Sequence, residues 1–263
     1  MESADNIPVC EDMYDDFFNV TATYRLDSDI RMPYIQIKNT KGEVIGPKVE
    51  MDWIVGGKVD KDLAMRLKNK TKAVAWFVSN CKSRNKRRQY VNKLQKALET
   101  YNLNVDVYGN CGSLTCPLKD KRCSTILDRD YFFYLSFENS FSVDYVTEKL
   151  LTAMQHDVVP IVFGGADYSR FLPPGSYLNA RDTTPMELAA TIADLMKSTT
   201  KYSRFFSWKS HYSYRESDHV CSVCEALNAA SMEKPKYYRQ FRKWWLPDFA
   251  ERCKDQQRHW LWW

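Results

Sequence analysis

Short, continuous apolar runs alternate along this chain with stretches whose apolar positions recur every three to four residues. Residues 73–78, 104–108, 131–137, 158–163 and 177–179 read as strands. The run at 131–137 is aromatic and leucine bulk with no charge inside it, as a strand buried on both faces requires. Between the strands, 86–101, 144–155 and 185–197 read as amphipathic helices, and a charged helix at 60–69 follows the break at Gly56-Gly57. In the second of these, Val146, Leu150, Leu151 and Met154 form one apolar stripe, with Asp144 placed as N-cap. This rhythm predicts an α/β fold built on a parallel, doubly wound sheet. The flanks are less regular. Residues 1–11 read as polar and mobile, 17–24 as a strand, 27–33 as loop, 41–47 as turn material and 202–214 as an aromatic-rich helix.

Polarity arrives abruptly after 131–137, at Glu138, Asn139 and Ser140. Ligands of open α/β sheets bind outside the carboxyl ends of the strands, so contact groups are expected here. Tyr145, Glu148 and Lys149 follow at the start of the next helix, within reach of a phosphate or a sugar hydroxyl; the same residues also suit an ordinary solvated helix start. The densest basic run, 82–88, comes after a strand and opens a helix. That placement fits a phosphate-facing helix terminus better than a nuclear-localisation signal.

A length of 263 residues allows one large domain or two small ones. A net charge of +5 permits an anionic ligand without calling for nucleic acid. Eight cysteines, with Cys111, Cys116 and Cys123 in one loop, favour an oxidising compartment. The sequons at Asn19 and Asn69 agree with a secretory lumen. Cys221 and Cys224 form a CxxC: a short disulfide is one reading, and zinc held with His219 and a distant ligand is another. No apolar run is long enough to span a bilayer, and no signal peptide is evident.

Four segments, in order, resemble motifs of the α1,3/α1,4-fucosyltransferases of glycosyltransferase family 10. They are FFNVTATYRLDSDI at 17–30, VSNC at 78–81 with Arg87 after it, YFFYLSFENSFSVDYVTEK at 131–149, and VVPIVFGGADY at 158–168 with FLPPGSY at 171–177. The resemblance implies a GT-B enzyme, two Rossmann-like domains facing across a cleft. Residues 58–245 would be the GDP-fucose-binding domain, 1–57 the carboxyl-terminal remnant of the acceptor domain with its linker, and 246–263 an unassigned tail. It implies Arg87 and Lys149 as cations on the diphosphate, Glu148 on ribose hydroxyls, and Asn139 and Tyr145 near the diphosphate and fucose. Tyr24 and Arg25 would line the cleft, and the CxxC would be bridged.

Asp27-x-Asp29 has the form of a metal motif of another glycosyltransferase class. In this family it is part of the YRxDSDI string, so no metal ligand and no cofactor beyond the donor are expected. Glu138 is expected to be a structural carboxylate, and the catalytic base to lie in an amino-terminal acceptor domain, with no residue here carried over to that role. The implied reaction moves L-fucose from GDP-fucose to GlcNAc of N-glycans on acceptor glycoproteins, in α1,3 linkage with inversion, in the Golgi. Family members hold to the membrane by an amino-terminal anchor that this sequence lacks. The turn at 79–85 is closer to invertebrate and plant members that fucosylate the innermost GlcNAc. Two alternatives stay open: a donor-domain remnant that binds GDP or GDP-fucose without transfer, and a non-enzymatic, disulfide-rich lumenal module.

Overall fold

The computed structural model describes residues 1–116, 121–228 and 237–257. The amino-terminal part holds β1 (Ala22–Thr23), β2 (Ile30–Arg31), β3 (Ile35–Asn39) and β4 (Val44–Gly46). The strand expected over 17–24 shrinks to β1, because the Thr21 backbone N–H and hydroxyl both turn to the Asp29 carboxylate (2.9 and 3.0 Å). The stretch read as turn material is instead a hairpin of β3 and β4, turning at Gly42, whose φ of +82° suits glycine.

After α1 (Lys61–Lys68), capped by Asp60, the expected alternation runs: β5 (Lys72–Phe77), α2 (Arg87–Glu99), β6 (Val105–Tyr108), α3 (Lys121–Asp130), β7 (Tyr131–Phe137), α4 (Glu148–Gln155), β8 (Val159–Phe163), β9 (Leu178–Asn179) and α5 (Pro185–Met196). The five strands form one parallel sheet in the order β6-β5-β7-β8-β9. Every residue of β7 is buried because both faces are covered. On one side Val74, Trp76, Phe133, Leu135 and Ile161 pack with Val91 and Leu94 of α2 and Leu188 and Ile192 of α5. On the other, Ala75, Tyr131 and Tyr134 meet Leu127 of α3 and Ala153 of α4. Thr184 and Glu187 close a capping box on α5, with Pro185 at its first turn.

The aromatic stretch 202–214 departs from its expected helix. It divides into α6 (Thr199–Ser203), a 3-10 segment (Arg204–Ser210) and β10 (Tyr212–Glu216). Tyr212 and Tyr214 alternate with the less buried Ser213 and Arg215, and β10 pairs antiparallel with β3, burying both rings with Ile35, Ile37 and the α4 stripe. The remaining helices are α7 (His219–Leu227), α8 (Phe241–Trp245) and α9 (Phe249–Gln257).

Six cysteines are bonded, as Cys10–Cys253, Cys81–Cys111 and Cys116–Cys123. The expected Cys221–Cys224 bridge does not form. Both thiols are free and exposed on α7, and Cys221 Sγ lies 3.4 Å from the Asp218 carboxylate that caps the helix.

Candidate functional site

At the carboxyl tip of β7 the chain collects charge. Arg87, the first residue of α2, is only 2% exposed. Its Nη1 donates to the Phe137 carbonyl (2.6 Å) and its Nη2 to the Asn80 carbonyl (3.0 Å). The guanidinium lies 5.7 Å from the Trp76 ring centroid. Burial lowers its pKa, and the Glu138 charge is the main influence against that shift. Nε is buried and without a partner among the described residues.

Lys149, the second residue of α4, stands on the other side of that tip. Its Nζ donates to Thr147 Oγ1 (2.7 Å), Glu138 (3.2 Å) and Glu148 (3.0 Å). Burial alone would lower its pKa, but the two carboxylates outweigh it and the pKa is raised. α4 begins at Glu148, four residues later than expected. Asp144 is no N-cap: its φ is +55°, and its carboxylate accepts from the Leu26 N–H and from Arg170 (both 3.2 Å). Glu138 reaches over instead and accepts from the Thr147 N–H (2.8 Å) at the head of the helix.

Asn139 follows Glu138, and its Oδ1 is buried with no partner among the described residues. Tyr145 is buried against Tyr24 (5.1 Å between centroids), and Arg87, Asn139, Glu148 and Lys149 stand with it round one strand end. Tyr24 joins them through its ring; its hydroxyl accepts from the Ala4 N–H (3.0 Å), and burial pushes its pKa up to about 12. Arg25 does not join. It forks onto Asp27 (2.9 and 2.8 Å), lies over Trp244 (4.5 Å) and donates to the Trp244 carbonyl. Asp27 and Asp29 turn to different partners, Arg25 and Trp244 for the first, Thr21 and Tyr238 for the second. The sequon residues Asn19 and Asn69 are both exposed.

One functional group escapes the sequence patterns. Residues 1–7, read as mobile, lie across the tip, with Ser3 and Ala4 buried. The Glu2 carboxylate accepts from the Tyr145 hydroxyl (2.9 Å), Ser3 N–H (2.8 Å) and Asn6 Nδ2 (3.1 Å). Burial raises its pKa, but these hydrogen bonds and one from Asn139 prevail and hold it below the ordinary value. The signal available in the sequence was local: Ser3 and Asn6 have the spacing of a side-chain-closed turn, and Asn6 N–H donates to Ser3 Oγ (3.3 Å).

Beside the tip lies a cavity of about 700 Å³. Arg84 and Lys86 line it from the loop before α2, Phe141 from beyond β7, and Trp245 and Arg252 from the carboxyl-terminal helices. Asp5 pairs with Arg84 (3.3 Å) and Arg252 (3.4 Å) at its edge. Cationic groups next to aromatic rings at the carboxyl ends of parallel strands suit an anionic ligand with a flat or sugar-like part.

The family model for glycosyltransferase family 10 (fucosyltransferase), C-terminal part, matches residues 67–244. The chain belongs to this family. Arg87, Asn139, Tyr145, Glu148 and Lys149 fall within the matched residues, whereas Glu2, Tyr24 and Arg25 precede them. An α-(1,3)-fucosyltransferase C of Drosophila melanogaster is 42% identical over 92% of this chain and 56% of its own length. A glycoprotein 3-α-L-fucosyltransferase A of the same organism is 39% identical over 88% of this chain and 43% of its own. The chain thus spans about half the length of these curated relatives. A crystal structure of an α1,3-fucosyltransferase with GDP-fucose is similar with a TM-score of 0.46 and 19% identity, over 70% of this chain and 60% of that one.

Proposed function

We propose that this fucosyltransferase-family chain holds GDP-fucose at the tip of β7 and transfers L-fucose, with inversion, to GlcNAc of N-glycan acceptors in α1,3 linkage. The observation that carries the reading is the pair of cations flanking one strand end, with Arg87 Nε and Asn139 Oδ1 buried beside it and unpaired among the described residues. Buried polar atoms without partners are costly, and a diphosphate sugar supplies both acceptors and donors. Arg87 and Lys149 meet the diphosphate and stabilise the charge that grows on it as the anomeric C–O bond breaks. Glu148, exposed at the head of α4, takes the ribose hydroxyls. The acceptor hydroxyl attacks the anomeric carbon, GDP leaves with the bonding pair, and a carboxylate takes the proton. The sequence expects that carboxylate in an amino-terminal acceptor domain; among the described residues we put Glu2 forward for the step, because the Tyr145 hydroxyl holds its side chain at this tip (2.9 Å). In this reading Arg87 and Lys149 carry the neutralisation of the diphosphate charge.

The match to Drosophila glycoprotein 3-α-L-fucosyltransferase A supports an acceptor carried on a glycoprotein. Three disulfides and two exposed sequon asparagines support a Golgi-lumenal setting. Among the described residues no helix is long and apolar enough to cross a membrane. A second reading, donor binding without transfer, is favoured because the tip residues inside the family match, Arg87, Asn139, Tyr145, Glu148 and Lys149, are all ones we assign to the donor. Calorimetry with GDP and a transfer assay with GDP-fucose and an N-glycan separate the outcomes. Heat with product supports transfer, and heat without product supports the second reading. Absence of heat sinks both and leaves a lumenal module with no use for Arg87 and Lys149.

A further inference from the structure

We infer that Glu138 is a positioning residue: it fixes the Lys149 ammonium at the β7 tip so that an incoming diphosphate displaces Glu148 and not Glu138. This rests on the sugar-nucleotide reading above. Glu138 is 1% exposed and clamped from three directions. Its N–H donates to the Phe163 carbonyl of β8 (2.9 Å), its carbonyl accepts from Asn85 Nδ2 (2.8 Å), and its carboxylate holds Thr147 through the N–H (2.8 Å) and the hydroxyl (3.0 and 2.9 Å). A carboxylate so held cannot follow a moving lysine. The two acids on Lys149 therefore differ in kind. Glu138 is buried and rigid, whereas the Glu148 side chain is 66% exposed and free to turn. A diphosphate arriving from solvent competes with the exposed partner alone, and Glu148 is released toward the sugar hydroxyls. Lysine is a point charge on a flexible stem, so without Glu138 the ammonium would follow Glu148 outward.

A simple electrostatic role makes a different forecast. If Glu138 acted only through its charge, it would repel the diphosphate, and removing that charge would tighten binding. Positioning predicts the opposite sign. GDP affinity is measured by calorimetry on the whole chain and on E138Q, K149M and the double variant. E138Q keeps the size of the side chain and an acceptor for Thr147. The expected result is about tenfold weaker GDP binding for E138Q and no further loss when it is added to K149M, the mark of two residues acting as one. Tighter or unchanged binding in E138Q overturns the inference, and so does a loss that adds fully to that of K149M. If K149M binds GDP as well as the parent, the sugar-nucleotide reading fails first and takes this inference with it. Should E138Q not fold, T147V removes the hydroxyl between the two charges (2.7 Å to Lys149) while Glu138 stays in place. It should weaken GDP binding a few-fold in the parent and not at all in K149M; a loss of equal size in both backgrounds counts against positioning.

Discussion

The Glu2 carboxylate and the Tyr145 hydroxyl are 2.9 Å apart although 143 positions separate them in the chain. The contact brings an acid from residues 1–7 to a strand tip otherwise built from Tyr24 and residues 80–149. The tyrosine O–H donates, which leaves the carboxylate's charge in place. Burial and Glu2 both raise the Tyr145 pKa, so the proton stays on the phenol.

If Glu2 is the base, E2Q removes proton acceptance while keeping the side chain's shape. Transfer should fall by about 10²- to 10⁴-fold, the usual contribution of a positioned base. GDP affinity should stay within about threefold, since the cations are untouched. The pH dependence follows from the sign of the shift. A carboxyl whose folded pKa is depressed stays ionised down to that value, so the acid limb of the parent's rate profile should lie below the ordinary 4.5. Loss of GDP binding in E2Q in step with loss of rate would show that Glu2 only holds the fold of the tip.

Arg87 should carry two burdens that different variants separate. R87M leaves the buried Phe137 carbonyl and the partly buried Asn80 carbonyl without their donors, a cost of about 2–3 kcal/mol in urea unfolding. R87K keeps the charge but loses the fork, so it cannot reach both carbonyls and a phosphate together. It should unfold closer to the parent while binding GDP about tenfold more weakly. An R87K protein with parental GDP affinity would mean that the guanidinium serves structure alone.

The centre of the sheet was legible because β7 and β8 are fully buried: 131–137 carries its assignment in an unbroken apolar run, and the structure ends the strand at Phe137 as the pattern does. Helix starts were legible where caps are local, as at Asp60 and Thr184. α4 was not, since its cap comes from Glu138, nine residues upstream, while Asp144 is drawn off by Leu26 and Arg170. β10 was hidden because its aromatics fit either period until β3 supplied a partner. Asn139, Tyr145, Glu148 and Lys149 were named from their place beyond a strand, and Arg87 from the family resemblance. Glu2 was not, because its role depends on a long-range contact that no local pattern encodes. The tryptophans at 260, 262 and 263 lie outside the described residues.

Lys70 gives the fold an unusual pH response. Its ammonium is buried and donates to three carbonyls, Leu127 (2.9 Å), Asp128 (2.7 Å) and Tyr131 (2.7 Å), closing the end of α3 onto the start of β7. Burial pushes its pKa down to about 8, against 10.5 when free. The unfolded chain therefore binds more protons between these values, and this group makes unfolding harder as pH rises from 8 to 10.5, by up to about 3 kcal/mol. The cost of burying the charge is fully present below pH 8. Urea unfolding across that interval, compared with K70M, checks the sign. K70M should be flatter, and identical slopes in the two proteins would remove Lys70 as the cause.

The CxxC on α7 should behave as two separate thiols. Three disulfides take up the other six cysteines, so alkylation of the native protein without reductant should add two groups, one each at Cys221 and Cys224. They should not react alike. The hydrogen bond from Cys221 Sγ to Asp218 raises the Cys221 pKa, with that carboxylate's charge acting in the same direction. Since the thiolate is the nucleophile, Cys224 should be modified first near pH 8, and D218N should speed Cys221 while leaving Cys224 little changed. Peptide mass mapping over a time course reads both sites at once. A native protein that takes up no alkylating agent would mean that the pair is bridged after all, as the family resemblance first suggested. Equal rates at the two sites would mean that Asp218 caps the helix without restraining the thiol.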